Sequence, residues 1–262
     1  SMRINTTGAN NVAVGDKALC ANTTASNNTA VGNASMLSTT TGTCNTAVGM
    51  CSMADNTTGD QNAAFGYFAL QNNTTADFNV AIGGCAMFTN TTGCHNTALG
   101  RNALYANSTG DNNTAIGCGA LDTNTTADNN TAVGALTLCT NTTGADNTAI
   151  GYNALTANTT QRNTAVGAFA AICNTTGQQN VAVGYYSLDA NTTGGCNVAI
   201  AGGLGNNTTG SDNVGIGSSA LGNNNTCSNN VAVGHSAAQE TNSAHGIVAI
   251  GALALCKIII QQ

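Results

Sequence analysis

Apolar and polar positions alternate along this chain in short bursts, and the bursts recur. Each reads Asn, then Thr or Val, then Ala, then Val or Ile, then Gly, as in Asn28-Thr29-Ala30-Val31-Gly32. With the closing glycine as marker, the series is Gly15, Gly32, Gly49, Gly66, Gly83, Gly100, Gly117, Gly134, Gly151, Gly167, Gly184, Gly217, Gly234 and Gly251, with Ala201 standing in once. The step is 17 residues except for two of 16, from Gly151 to Gly167 and from Ala201 to Gly217, which gives fifteen units. A fixed period of this length marks a repeat architecture. It is too short for a helix pair and carries no 3.6-residue stripe. A β-branched triplet closed by glycine predicts one short strand per unit. The pattern therefore predicts an all-β fold, a parallel β-solenoid (β-roll) of about fifteen 17-residue coils over residues 3–251. Neighbouring coils of such a fold lie about 4.8 Å apart.

Stacking turns repeat positions into columns. Four residues before the marker stands Asn in fourteen of fifteen units, from Asn11 to Asn230, with Ile247 the exception. Stacked amides can bond one another and the turn backbone. The residue before the marker is always apolar (Val14, Phe65, Ile82, Leu99, Ile250), and the Thr or Val two places earlier shares its face. These two, with the Leu or Met four after the marker (Leu19, Met36, Leu70, Leu104, Leu155), are the expected core. Between them lies Ala in fourteen units and Gly215 in the other. A solvent-facing position would scatter Lys, Glu, Ser and Thr. The uniform small residue is expected to form a flat stripe on which copies of the chain pack as a homotrimer: Ala13, Ala30, Ala47, Ala64, Ala81, Ala98, Ala115, Ala132 and Ala149. The alternative is that this alanine fills a tight core within one chain.

The unit Asn-[Thr/Val]-Ala-[Val/Ile]-Gly-x-x-Ala-Leu resembles the head repeats of trimeric autotransporter adhesins, and with its Asn-Thr-Thr-Gly turn it resembles repeat regions of phage and viral tail fibres. The likeness covers about residues 5–251. It implies a structural shaft on a cell surface or virion, used for spacing and attachment, without catalysis and in three copies.

Composition narrows the alternatives. Charged residues are 6% of the chain, against about 25% in ordinary domains, and Pro and Trp are absent. At 42% hydrophobic with regularly placed Val and Ile, the chain is not a disordered one. A net charge of −6 with five Lys+Arg argues against nucleic acid as a partner. No apolar run reaches the ~18 residues of a membrane span, so no membrane insertion is expected. The opening Ser1-Met2 reads as a cleavage scar, and residues 252–262, with Ile258-Ile259-Ile260, as a cap or a junction to a further domain.

Candidate chemistry is sparse. His95, His235 and His245 form no metal or catalytic spacing, and no cofactor is expected. Asp60, Asp77, Asp111 and Asp128 share one column and offer a weak Ca²⁺ site, or simple turn caps. Eleven cysteines include no pair 17 apart, and Cys51 and Cys85 are 34 apart, so no disulfide ladder forms between adjacent coils. Reduced cysteines fit assembly in a reducing cytosol before display outside it. Asn22, Asn56 and Asn141 begin glycosylation sequons that the repeat generates automatically. The stacked threonines Thr58, Thr75, Thr92, Thr126 and Thr143 carry the alternative of an ice-binding face. Recognition of a surface glycan or protein receptor would fall on the variable columns, at Tyr67, Phe68, Arg101, Tyr152, Tyr185 and Tyr186.

Overall fold

The computed structural model describes residues 1–256, so Ile258-Ile259-Ile260 of the expected end segment lie outside the described residues. Each unit contributes one three-residue strand. In the first half these are β1 (Val12–Val14), β2 (Thr29–Val31), β3 (Thr46–Val48), β4 (Ala63–Phe65), β5 (Val80–Ile82), β6 (Thr97–Leu99), β7 (Thr114–Ile116) and β8 (Thr131–Val133). They continue as β9 (Thr148–Ile150), β10 (Thr164–Val166), β11 (Val181–Val183), β12 (Val198–Ile200), β13 (Val214–Ile216), β14 (Val231–Val233) and β15 (Val248–Ile250). The remainder is turn, in the form of a parallel β-solenoid, as the period predicts.

Two compact units divide the chain, residues 1–132 and those from Val133 onward. Within the first, β1 to β7 pair in sequence order, each parallel to the next. Within the second, β9 to β15 do the same. Like sits on like, as in Thr29↔Thr46, Ala30↔Ala47 and Val31↔Val48. Where a unit is one residue short the strands stay in register, Ala149 on Ala165 and Ala199 on Gly215. The deletion is therefore absorbed by a turn.

Backbone geometry explains which residues the coil accepts. The marker glycine ends the strand at a positive φ, +138° at Gly32, where a Cβ would fall 2.4 Å from the carbonyl oxygen of Gly49 in the next coil. No side chain fits there. The Leu/Met column lies in the left-handed region, with φ of 48° at Leu19, 50° at Met36 and 54° at Leu104. Unbranched side chains tolerate that conformation better than Val or Ile, which are genuine outliers in it. The apolar residue of this column is thus γ-branched or linear, while Val and Ile are kept for the strand.

The core is thin. In the coil around β6, Ala98, Ala103 and Leu104 are fully buried, and the same columns are buried in nearly every other coil. The expected assignment of the strand's Val/Ile rank to this core is corrected by the structure. Phe65 is 40% exposed, Ile82 38%, Leu99 43% and Ile150 40%, because the first and third strand residues point outward and only the central alanine points in. Room decides the matter. At Gly215, the one strand centre without a methyl, a Cβ would already lie 3.0 Å from Leu204 Cγ.

Candidate functional site

Since the interior is filled by columns of alanine, Leu or Met, asparagine and a few Ser and Thr, any function must reside on what points outward. The predicted alanine stripe does not. Ala30, Ala47, Ala64, Ala81, Ala98, Ala115, Ala132 and Ala149 are wholly buried in their own chain, and Ala13 is half-buried only because it lies on the first strand. The alanines cannot be an assembly surface. They are the monomer's core, which was the alternative reading of that column.

Two asparagine ladders run through the interior where the repeat suggested one. In the first, Asn28 N–H donates to Asn11 Oδ1 (2.9 Å), and Asn28 Nδ2 donates to the Gly42 carbonyl (2.8 Å). The second is built from the Asn of Asn-Thr-Thr. Asn73 Nδ2 donates to Asn56 Oδ1 at 2.8 Å, Asn90 to Asn73 at 3.0 Å and Asn107 to Asn90 at 2.8 Å. Each also closes its own turn, as Asn73 does on the Ala76 carbonyl at 3.0 Å. The sequon residues Asn22, Asn56 and Asn141 are therefore buried, with their amide nitrogens engaged. No sugar can be attached to them in the folded coil. The column signal for this ladder was in the sequence, concealed by the sequon pattern it resembles.

Threonines of the same turn split into two kinds. The first donates its hydroxyl to the next coil's carbonyl, Thr57 to Thr74 at 2.9 Å and Thr74 to Thr91 at 3.0 Å. The second rank, Thr58, Thr75, Thr92, Thr126 and Thr143, is exposed. Consecutive threonines thus present one outward rank in a turn.

The aspartate column caps backbone. Asp60 Oδ1 accepts from Thr43 N–H (2.6 Å), Asp77 from Asp60 (2.7 Å), Asp111 from Cys94 (2.7 Å) and Asp128 from Asp111 (2.8 Å). Serine plays the same part elsewhere, Ser26 Oγ accepting from Ala9 and Ser228 Oγ from Ser211. This chemistry accounts for the carboxylates without calcium, and among the described residues no three His, Cys, Asp or Glu are grouped to hold a metal. None of the eleven cysteines is joined in a disulfide. His95 stacks on Phe78 with centroids 5.0 Å apart, and His245 Nδ1 accepts from Ser228 N–H at 3.0 Å. Asp122 is held above the ordinary carboxyl pKa by burial, and its buried Oδ1 has no hydrogen-bond partner.

The aromatic candidates do come together, joined by partners that sequence reading missed. Tyr67, 50% exposed, lies against Phe68 (3.9 Å), and Phe68 approaches Phe88 (6.0 Å), which stacks on Tyr105 (5.3 Å). In the second unit Tyr152, Tyr185 and Tyr186 gather around Phe169. Phe88 and Tyr105 are 17 apart and Phe169 and Tyr186 also 17, so one coil spacing identifies both pairs. Arg101 is exposed and stands apart from both groups.

The outer strand face is a further surface that the chain itself does not cover. Its two ranks are mixed in the first unit, with Thr29, Thr46, Thr97 and Thr114 among them. From β11 to β15 both ranks are Val or Ile throughout: Val181 and Val183, Val198 and Ile200, Val214 and Ile216, Val231 and Val233, Val248 and Ile250. All ten are half-exposed or exposed. No known protein family, curated protein or solved structure matches this chain.

Proposed function

We propose that the chain is a non-catalytic structural shaft of a surface or virion fibre, built by association of three copies through the outer strand face. The observation that carries this reading is the pair of Val/Ile ranks on β11–β15, which a single chain leaves half-exposed, and exposed at Val248 and Ile250. Parallel sheets are normally covered on both faces, and contiguous exposed apolar surface of this kind marks an interaction site. The side facing the solenoid interior is covered by the coil's own leucines; the other needs a second chain. The corrected stripe thus consists of Val and Ile. Flat, in-register ranks of one residue type are self-complementary, which suits copies meeting around an axis. Cysteines without disulfides suit assembly in a reducing compartment before the fibre is displayed.

Structural use fits the outward inventory better than ice binding does, since the outer strand face of β11–β15 carries Val and Ile where a threonine array would be needed. Molar mass in solution tests the reading. Light scattering is expected to give three times the 25.9 kDa of one chain, and a monomer across the micromolar range refutes it.

A further inference from the structure

The column five places after the marker is half-buried and holds a large side chain in several coils, Leu37, Phe88, Tyr105 and Ile172 among them. In the coil of Gly15 it holds Cys20, followed by Ala21. The same two places carry Arg3 and Ile4 one coil earlier and Leu37 and Ser38 one coil later, 17 residues away in each direction. Backbone bonds fix that stacking. Met2 N–H donates to the Ala18 carbonyl at 2.9 Å and Thr6 N–H to that of Thr23 at 2.8 Å, which lays Arg3 and Ile4 over Cys20 and Ala21. On the other side Ala21 N–H donates to the Leu37 carbonyl at 3.0 Å. Two short side chains therefore lie between longer ones. The result is an open cleft of about 590 Å³ lined by Arg3, Ile4, Cys20, Ala21, Leu37 and Ser38.

That volume falls within the range of about 300–1,000 Å³ of small-molecule sites, and the lining follows their rule of apolar walls with few polar groups. Ile4, Ala21 and Leu37 offer alkyl surface, and Ile4 leaves 55% of its own exposed. Charge selects the ligand class. Arg3 is exposed, and no ion pair joins it to an acid among the described residues. No Asp or Glu lines the cleft, although the whole chain carries a net charge of −6. A guanidinium pairs with a carboxylate through two parallel hydrogen bonds. Alkyl surface beside such a fork matches a carboxylate with an unbranched hydrocarbon tail.

We propose that this cleft binds a medium-chain fatty carboxylate, its head on Arg3 and its tail over Ala21 against Ile4 and Leu37. The site goes beyond the shaft reading and is independent of copy number, so light scattering on each variant separates failure of the two. The experiment is isothermal titration calorimetry of the full chain with sodium decanoate below its micelle concentration, beside decanol and decyltrimethylammonium. Decanoate is expected to bind saturably, once per chain, and the other two probes at least about fivefold more weakly. Arg3→Gln removes the charge at an exposed position, and is expected to weaken decanoate at least about fivefold while leaving decanol unchanged. Cys20→Phe fills the cleft at a repeat position where Phe88 shows that the coil accepts phenylalanine. It is expected to abolish decanoate binding with an unchanged circular dichroism spectrum. Arg101→Gln, the same charge change on an exposed arginine of another coil, is expected to change nothing. The proposal is overturned by the absence of saturable decanoate binding, by decanol or the ammonium binding as tightly, by full binding in Cys20→Phe, or by equal loss in Arg101→Gln.

Discussion

The two units of this chain have the same inside and different outsides. Their interiors repeat one set of columns, Ala98 and Leu104 in the first unit as Ala182 and Leu188 in the second, all fully buried. On the outer strand face, β2, β3, β6 and β7 begin with threonine, whereas β11 to β15 begin with valine and end in Val or Ile. Coil geometry cannot account for that contrast, since threonine and valine are equally at home in a strand and nearly equal in size. Columns that the coil itself constrains are uniform in both units. A column that only an outside contact constrains is uniform only over β11–β15, since β9 and β10 of the second unit begin with Thr148 and Thr164, and that stretch is where the contact is expected.

The strongest way to break this comparison is to attack the insides. Ala115→Lys and Ala182→Lys each force a charge into a space already filled, and each is expected to cost more than about 4 kcal/mol, enough to melt the affected coils. Thermal unfolding followed by circular dichroism checks this, and a variant that melts like the wild type shows that its column is not core. Attacking the outsides comes next. Val198→Lys with Val231→Lys is expected to weaken association at least about tenfold while the far-ultraviolet spectrum stays native. Thr97→Lys with Thr114→Lys in the first unit should shift the same light-scattering isotherm far less. Equal shifts erase the distinction between the two faces.

The smallest effect sharpens the inside further. The folded-state pKa of Asp122 is raised by burial, so its ionised form is disfavoured in the fold. Its contribution is therefore fully present below the ordinary carboxyl range and is lost as pH rises through the folded value. Asp122→Asn is expected to raise the melting temperature slightly at pH 7 and to bring no gain near pH 3. A gain that is independent of pH refutes the electrostatic origin.

Much of this was legible in the sequence. The period, the strand position, the first asparagine ladder, the glycine corner and the Leu/Met column all follow from counting. The inner face of the strand did not, because Thr-Ala-Val offers larger apolar side chains on its outer face than on its inner one. Burial normally favours the bulkier residue, and the rule fails when the space opposite the strand is already taken by leucine, as the 3.0 Å approach at Gly215 shows. A signal for the correct answer was nevertheless present. The Leu/Met column carries no Val or Ile, which points to a left-handed backbone there and so to a tight turn folding leucine onto the strand. Aromatic clusters were missed for a different reason. Tyr152 was read beside its sequence neighbours, and its working neighbour Phe169 is one coil away.

The second asparagine ladder has a bearing on where such a chain can be made. Its members sit in Asn-Thr-Thr triplets, which an oligosaccharide transferase reads on an emerging, still extended polypeptide. A glycan added at Asn56 or Asn141 could not follow the side chain inward, and the coil carrying it would stay open. Manufacture in a glycosylating secretory pathway would therefore set most turns of the solenoid racing against their own modification.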